Sequence, residues 1–110
     1  MTVDAIETRR SEPMLAGQAS ALAELLRTLG DPTRLRILTA LDGVCVSVTA
    51  IVEATGLRQP TVSHHLRILR DRGLVVGERR GGYVFYCLAT EGLRDALEVL
   101  QGLADGTDVP

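Results

Sequence analysis

Apolar residues recur along most of this chain with the period of a helix, interrupted at a few places by glycine, proline or strict alternation. Residues 1–13 are polar and aperiodic and end at Pro13, which reads as a poorly ordered arm. From Gly17 onward Ala19, Leu22, Ala23, Leu25, Leu26 and Leu29 fall at helical spacing, and Gly30 stops the pattern. Asp31-Pro32 then offers an N-cap followed by a proline in the first turn, predicting a second helix that carries Leu35, Ile37, Leu38 and Leu41 up to Gly43. Residues 44–48 alternate valine with small polar side chains, which predicts a short strand with its valines on one face. Ser47 or Thr49 is placed to cap a third helix over residues 50–55, which Gly56 ends. Pro60 opens a fourth over residues 59–72, with Val62, Leu66 and Leu69 on one side. Residues 74–79 and 83–88 are strand-like runs around Arg80-Gly81-Gly82. Thr90 caps a last helix whose stripe is Leu93, Ala96, Leu97, Leu100 and Leu103 or Ala104, before a polar tail.

The predicted order is ααβααββα, an α+β chain that is mainly α. Two helices joined by a short glycine turn form a helix-turn-helix, and the arginine-tipped hairpin after it makes a wing. A chain of 110 residues, 45% of them hydrophobic, has room for one compact domain. The expected division is an arm at 1–16, one winged helix-turn-helix domain at 17–104 and a tail at 105–110. No apolar stretch reaches the roughly 18 to 20 residues of a membrane span, and residues 1–10 lack the apolar core of a signal peptide, so a cytoplasmic protein is expected. Two cysteines are too few for a disulfide scaffold and match no C-x-x-C zinc framework.

The net charge of −2 would argue against a nucleic-acid partner if it were spread evenly. It is not: between Arg58 and Arg80 six arginines face only Asp71 and Glu78, a local excess of about +4. Turning the fourth helix at about 100° per residue puts Val62, Leu66 and Leu69 on one side and Pro60, Ser63, His64 and Arg67 on the other. The major groove of duplex DNA admits one helix, and Gln59, Thr61, Ser63, His64 and Arg67 carry the donors and acceptors that read base edges. Arg58, Arg70, Arg79, Arg80 and Tyr83, with Thr61 again, are placed for phosphate. A polar face on an isolated helix is ordinarily just solvated; the preceding helix, the turn and the following arginine-tipped hairpin turn the balance toward DNA.

An enzyme is not expected, since there is no glycine-rich phosphate loop, no nucleophile with a base and orienter, and no inward-facing carboxylate cluster. The rival reading is a winged helix used only as a protein-interaction module, without specific DNA binding.

Three runs, at 29–38 (LGDPTRLRIL), 59–70 (QPTVSHHLRILR) and 73–75 (GLV), resemble the ArsR/SmtB family of prokaryotic repressors, and the likeness extends over about residues 17–104. The resemblance implies a homodimer built from the first and last helices, binding an inverted-repeat operator and released by an inducer. The leucine stripes fit such a dimer through Leu22, Leu26, Leu93, Leu97 and Leu100, although both stripes serve equally well as ordinary core. Twofold symmetry would present two recognition helices to successive major grooves.

The family's usual metal sites are not intact. Its thiolate pair falls on Ser47 and Thr49, with Cys45 two residues early, and the last helix has Thr90 and Gly92 where Asp and His are expected. No cofactor is therefore assigned beyond a thiophilic metal or metalloid at Cys45 and Cys87. The resemblance pairs the short first strand with the second wing strand, putting both cysteines on one sheet and within disulfide reach. One reading is a two-thiol sensor in which an oxidant or thiophilic species strains the wing against the recognition helix. The plainer and favoured reading is two small, half-buried thiols with no signalling role. His64 and His65 point about 100° apart and do not share a metal ion; His64 is read as facing DNA and His65 as packing.

Overall fold

The computed structural model describes residues 12–107, in the order α1 (Ala16–Leu29), α2 (Pro32–Ala40), β1 (Val46–Ser47), α3 (Val48–Thr55), α4 (Gln59–Asp71), β2 (Val75–Arg80), β3 (Tyr83–Leu88) and α5 (Glu91–Asp105). This is the predicted ααβααββα. Most of the expected N-terminal arm and the end of the tail lie outside the described residues.

Local chemistry sets the breaks. Asp31 caps α2 by accepting a hydrogen bond from the Arg34 amide at 3.0 Å, and Pro32 needs no amide partner in the first turn. The expected strand at 44–48 shrinks to two residues, because Ser47 accepts from the Ala50 amide at 3.1 Å and Val48 already turns into α3. Of the two candidate caps, Ser47 is the one used. At the far end of α3, Gly56 takes a left-handed φ of 71° and donates its amide to Val52, conditions that favour glycine. Helix α4 ends one residue before the expected Arg72, which becomes its C-cap.

The sheet is antiparallel in the order β1-β3-β2. Val46 and Ser47 lie opposite Tyr86 and Phe85, and the β2–β3 hairpin runs from Val75 opposite Leu88 to Arg80 opposite Tyr83. The core gathers between α2, α3, α4 and the base of the hairpin, where Ile37, Leu38, Ile51, Val62 and Leu69 are fully buried. Removing a leucine or isoleucine side chain from water contributes about 1.5–3 kcal/mol, so these helices supply most of the packing.

Leu97 of α5 is also in this core, and Leu93 packs against it. Both were expected on a dimer face. The α5 stripe is wide enough to do two jobs, its Leu93–Leu97 edge covering the chain's own core while Val99, Leu100 and Leu103 stay exposed.

Candidate nucleic-acid interface

Helix α4 has a sharply divided surface. Val62, Leu66 and Leu69 are at most 1% exposed, while Gln59, Ser63, His64 and Arg67 open to solvent and Thr61 is half-buried. Burial of the apolar side fixes the rotation of the helix, so the polar side must face outward.

The turn before α4 is fixed from behind. The buried Thr55 hydroxyl donates to the Ile51 carbonyl at 2.7 Å and accepts from the Leu57 amide at 3.2 Å. The guanidinium of Arg36, from α2, donates to the Thr55 carbonyl at 2.6 Å. Arg34, also on α2, donates through Nε to Nδ1 of His65 at 3.3 Å and through its terminal nitrogen to the Thr28 carbonyl at 3.2 Å. It thereby ties the end of α1 to the inner flank of α4. Burial holds the His65 imidazole below its ordinary pKa, with Arg34 and His64 adding to the effect against the opposing pull of Asp31. Glu24 of α1 accepts from Arg72 at the end of α4 at 3.0 Å and from Arg27 at 2.8 Å, and the two guanidinium groups keep its carboxyl below the usual range. Both pairs are solvent-exposed, so each contributes modestly. None of these long-range contacts is visible in the sequence pattern.

At the wing tip, Gly81 adopts a φ of 62°, which lets a tight two-residue turn close the hairpin. Arg79, Arg80 and Tyr83 are exposed around it. Arg80 is engaged within the wing: it donates to Glu78 at 2.9 Å and its guanidinium lies 5.1 Å from the Phe85 ring centre. That pairing lowers the pKa of Glu78 and raises that of Arg80. Among the described residues Arg58, Arg67 and Arg79 form no ion pair, and Arg70 meets Asp71 only at 3.9 Å. The arginines available to an anion without first giving up a close partner among the described residues are therefore Arg58 at the start of α4, Arg67 and Arg70 on it, and Arg79 on the wing.

Away from this face, an apolar cleft of about 520 Å³ opens between α1, α2 and α5, lined by Leu26, Leu29, Leu35, Leu97 and Leu100. Leu22, 38% exposed, continues the apolar edge of α1 on the same helix as Leu26. Cys45 and Cys87 are joined in a disulfide. Among the described residues no three His, Cys, Asp or Glu side chains gather as a metal site, and no helix is long and apolar enough to cross a membrane.

Comparison with known proteins places these features in company. Residues 29–78 match a family model described as a helix-turn-helix domain. The chain is 50% identical over 94 residues to the HTH-type transcriptional regulator CmtR of Mycobacterium bovis, covering 83% of this chain and 79% of that protein. The solution structure of apo-NmtR superposes with a TM-score of 0.75 at 36% identity, over 93% of this chain and 86% of that one. A homodimeric winged helix-turn-helix DNA-binding domain from Mycobacterium bovis, a possible ArsR-family regulator, gives 0.74 at 30% identity, over 87% of this chain and 89% of that one.

Proposed function

Because the chain belongs to the ArsR/SmtB family of winged helix-turn-helix transcriptional repressors, we propose that it works in the cytoplasm as a homodimer, binds an inverted-repeat operator and lets go when an inducer arrives. The observation that carries this reading is the divided surface of α4: three apolar side chains sealed at 0–1% exposure lock the helix so that Gln59, Ser63, His64 and Arg67 project together. In the major groove these side chains read base edges, with half-buried Thr61 reaching only the nearest groups. Arg58, Arg70, Arg79 and Tyr83 hold phosphates, and Arg80 joins them by exchanging Glu78 for a phosphate oxygen. The exposed edge formed by Leu22, Leu26 and Leu100 meets its twofold copy, and the apolar cleft beside it supports that pairing.

The test is selection of bound sites from a random duplex library, followed by titration at several salt concentrations. Wild type should recover an inverted repeat, with affinity falling steeply as salt rises. Arg67→Ala should lose about 1–3 kcal/mol and relax preference at one position of each half-site, whereas Arg79→Ala should weaken all duplexes alike and reduce the salt slope by about one. A protein that recovers no sequence and shows no salt-dependent binding to duplex would instead be an interaction module.

A further inference from the structure

Cys45 and Cys87 face each other across the sheet as the next rung of an existing ladder. Val46 pairs with Tyr86 and Ser47 with Phe85, and one step further along the same register Cys45 stands opposite Cys87, with Cα atoms 4.3 Å apart. That is the separation of directly opposed residues in a closely spaced antiparallel pair. The bonded pair therefore sits at ordinary sheet spacing, which gives no geometric support to the reading in which the pair strains the wing.

What the bond does instead follows from what it holds. Strand β1 has only two residues in its ladder, and such a short pairing is marginal by itself. Ser47, its last residue, is also the N-cap of α3, the first helix of the helix-turn-helix, with no linker between them. Cys87 sits on the central strand, paired on its other side with Val76 of the wing. The disulfide spans a sequence separation of 42 that contains α3, α4, β2 and the wing tip, the whole set of elements proposed to meet DNA. Both cysteines are half-buried and line a cleft of about 310 Å³ with Gly43, Val44, Thr90 and Glu91, so small oxidants and thiols reach the sulfurs. Glu91 lines the same cleft, but among the described residues no three His, Cys, Asp or Glu side chains gather as a metal site, and the pair has the chemistry of a redox couple more than of a metal centre.

We propose that Cys45 and Cys87 form a reversible thiol–disulfide switch that sets how firmly the helix-turn-helix is mounted, the disulfide form binding DNA more tightly. In the oxidising direction one thiolate attacks a peroxide oxygen: an S–O bond forms, the O–O bond breaks, and the departing oxygen leaves as water after taking up a proton. The second sulfur then attacks the sulfenic sulfur, the S–S bond forms, and the sulfenic oxygen leaves as a second water. Two thiols and one hydrogen peroxide become one disulfide and two waters. A dithiol reductant reverses the outcome by exchange, taking the two electrons and itself becoming a disulfide. In the dithiol form β1 hangs on two rungs and the N-cap of α3 frays with it; closing the bond removes that freedom before DNA arrives, which raises affinity by preorganisation.

This rests on the DNA-binding reading, but its chemistry and its effect on the fold are measured without DNA. The full chain would be reduced with dithiothreitol, treated with equimolar hydrogen peroxide and mapped by mass spectrometry. Amide hydrogen exchange at residues 46–50 and titration with a duplex recovered by selection would follow in both forms, with Cys45→Ser and, independently, Cys87→Ser alongside. The expected result is an intrachain bond that dithiothreitol reopens, slower exchange at residues 46–50 in the oxidised form and at least about threefold tighter DNA binding. Either serine variant should behave as the reduced form with or without peroxide. Thiols that stay free under peroxide, a bond formed only between chains, unchanged exchange, or reduced protein binding as tightly as oxidised would each overturn the proposal. Exchange that still switches in a protein binding no duplex in either form would uphold the redox site and sink the DNA-binding reading instead.

Discussion

Leu66 of α4 and Leu26 of α1 are the same side chain on two amphipathic helices, yet one is 1% exposed and the other 46%. Around Leu66, helices α2, α3 and α4 and the hairpin base close on one another, and Ile37, Ile51, Val62 and Leu69 are sealed with it. Around Leu26, helices α1 and α5 leave Leu22, Leu100 and Leu103 outside as well, beside an open apolar cleft. The reading half of the molecule is closed within one chain, whereas the helical half leaves apolar surface open, the surface proposed to meet a second copy. On the proposed pairing, stability of the monomer should reside in the first region and assembly in the second, and substitutions should separate the two.

The largest expected effect comes from the closed region. Leu66→Ala removes a fully enclosed side chain and should cost about 2–5 kcal/mol of unfolding free energy, read as a lower urea midpoint. Leu100→Ala on the open surface should cost the isolated chain far less. Equal losses at both positions would mean that the two regions are not distinct. Next in size, Leu26→Asp places a charge in the exposed stripe. It should leave the helical circular dichroism intact, convert the protein to a monomer by sedimentation, and weaken operator binding about 100-fold because two half-sites are no longer engaged together. A dimer that survives this substitution would move the interface elsewhere.

A smaller effect tests how the closed region delivers its recognition helix. Arg36→Ala removes the donor to the Thr55 carbonyl without touching the outward face of α4. Loss of a charge-assisted hydrogen bond at this partly buried turn should cost about 1.5–3 kcal/mol at most, and less where water replaces the guanidinium. The signature is the readout: DNA affinity should fall for all duplexes together, with the selected sequence unchanged, because the reader is held less firmly and reads the same bases.

How much of this could be seen in the sequence divides along the same line. Elements set by neighbours in the chain were legible: Gly30-Asp31-Pro32 separates two helices, Gly56 ends α3, and the period of Val62, Leu66 and Leu69 gives the face of α4. The short strand was overextended because alternation cannot tell a strand residue from a cap, and Ser47 serves as both. The stripe on α5 was legible as apolar but not by destination. Periodicity is the same whether Leu97 meets its own core or Leu100 meets a second copy, and only the packed structure divides them. The polar ties from Arg34 to His65 and from Arg36 to Thr55 join residues 31 and 19 positions apart with no local signature. The pairing of the two cysteines was reachable only through family likeness, since nothing in the spacing of residues 45 and 87 specifies a shared rung.

The smallest effect sharpens the comparison at the seam between the two regions, where Arg34 of α2 holds both the Thr28 carbonyl of α1 and Nδ1 of His65 in α4. Nδ1 accepts that hydrogen bond only in the neutral imidazole, and protonation would also set a cation beside the guanidinium. Burial lowers the pKa of His65 in the folded chain, so the unfolded chain binds the proton more readily. Above the unfolded value of 6.5 the imidazole is neutral in both states and no stability is lost. As pH falls through that value the unfolded state takes up the proton first, and stability declines until the folded state is protonated too, below its own lowered pKa. Wild type should therefore show a falling urea midpoint from pH 7 toward pH 5 that His65→Gln, which keeps an acceptor and has nothing to titrate, reduces. Carboxylates such as Glu24, whose lowered pKa makes stability fall only at more acidic pH, contribute their loss further down and leave the His65 component separable. If the wild-type and His65→Gln profiles superimpose between pH 7 and 5, the seam does not depend on the imidazole, and Arg34 serves to tie α2 to α1 through the Thr28 carbonyl without holding α4.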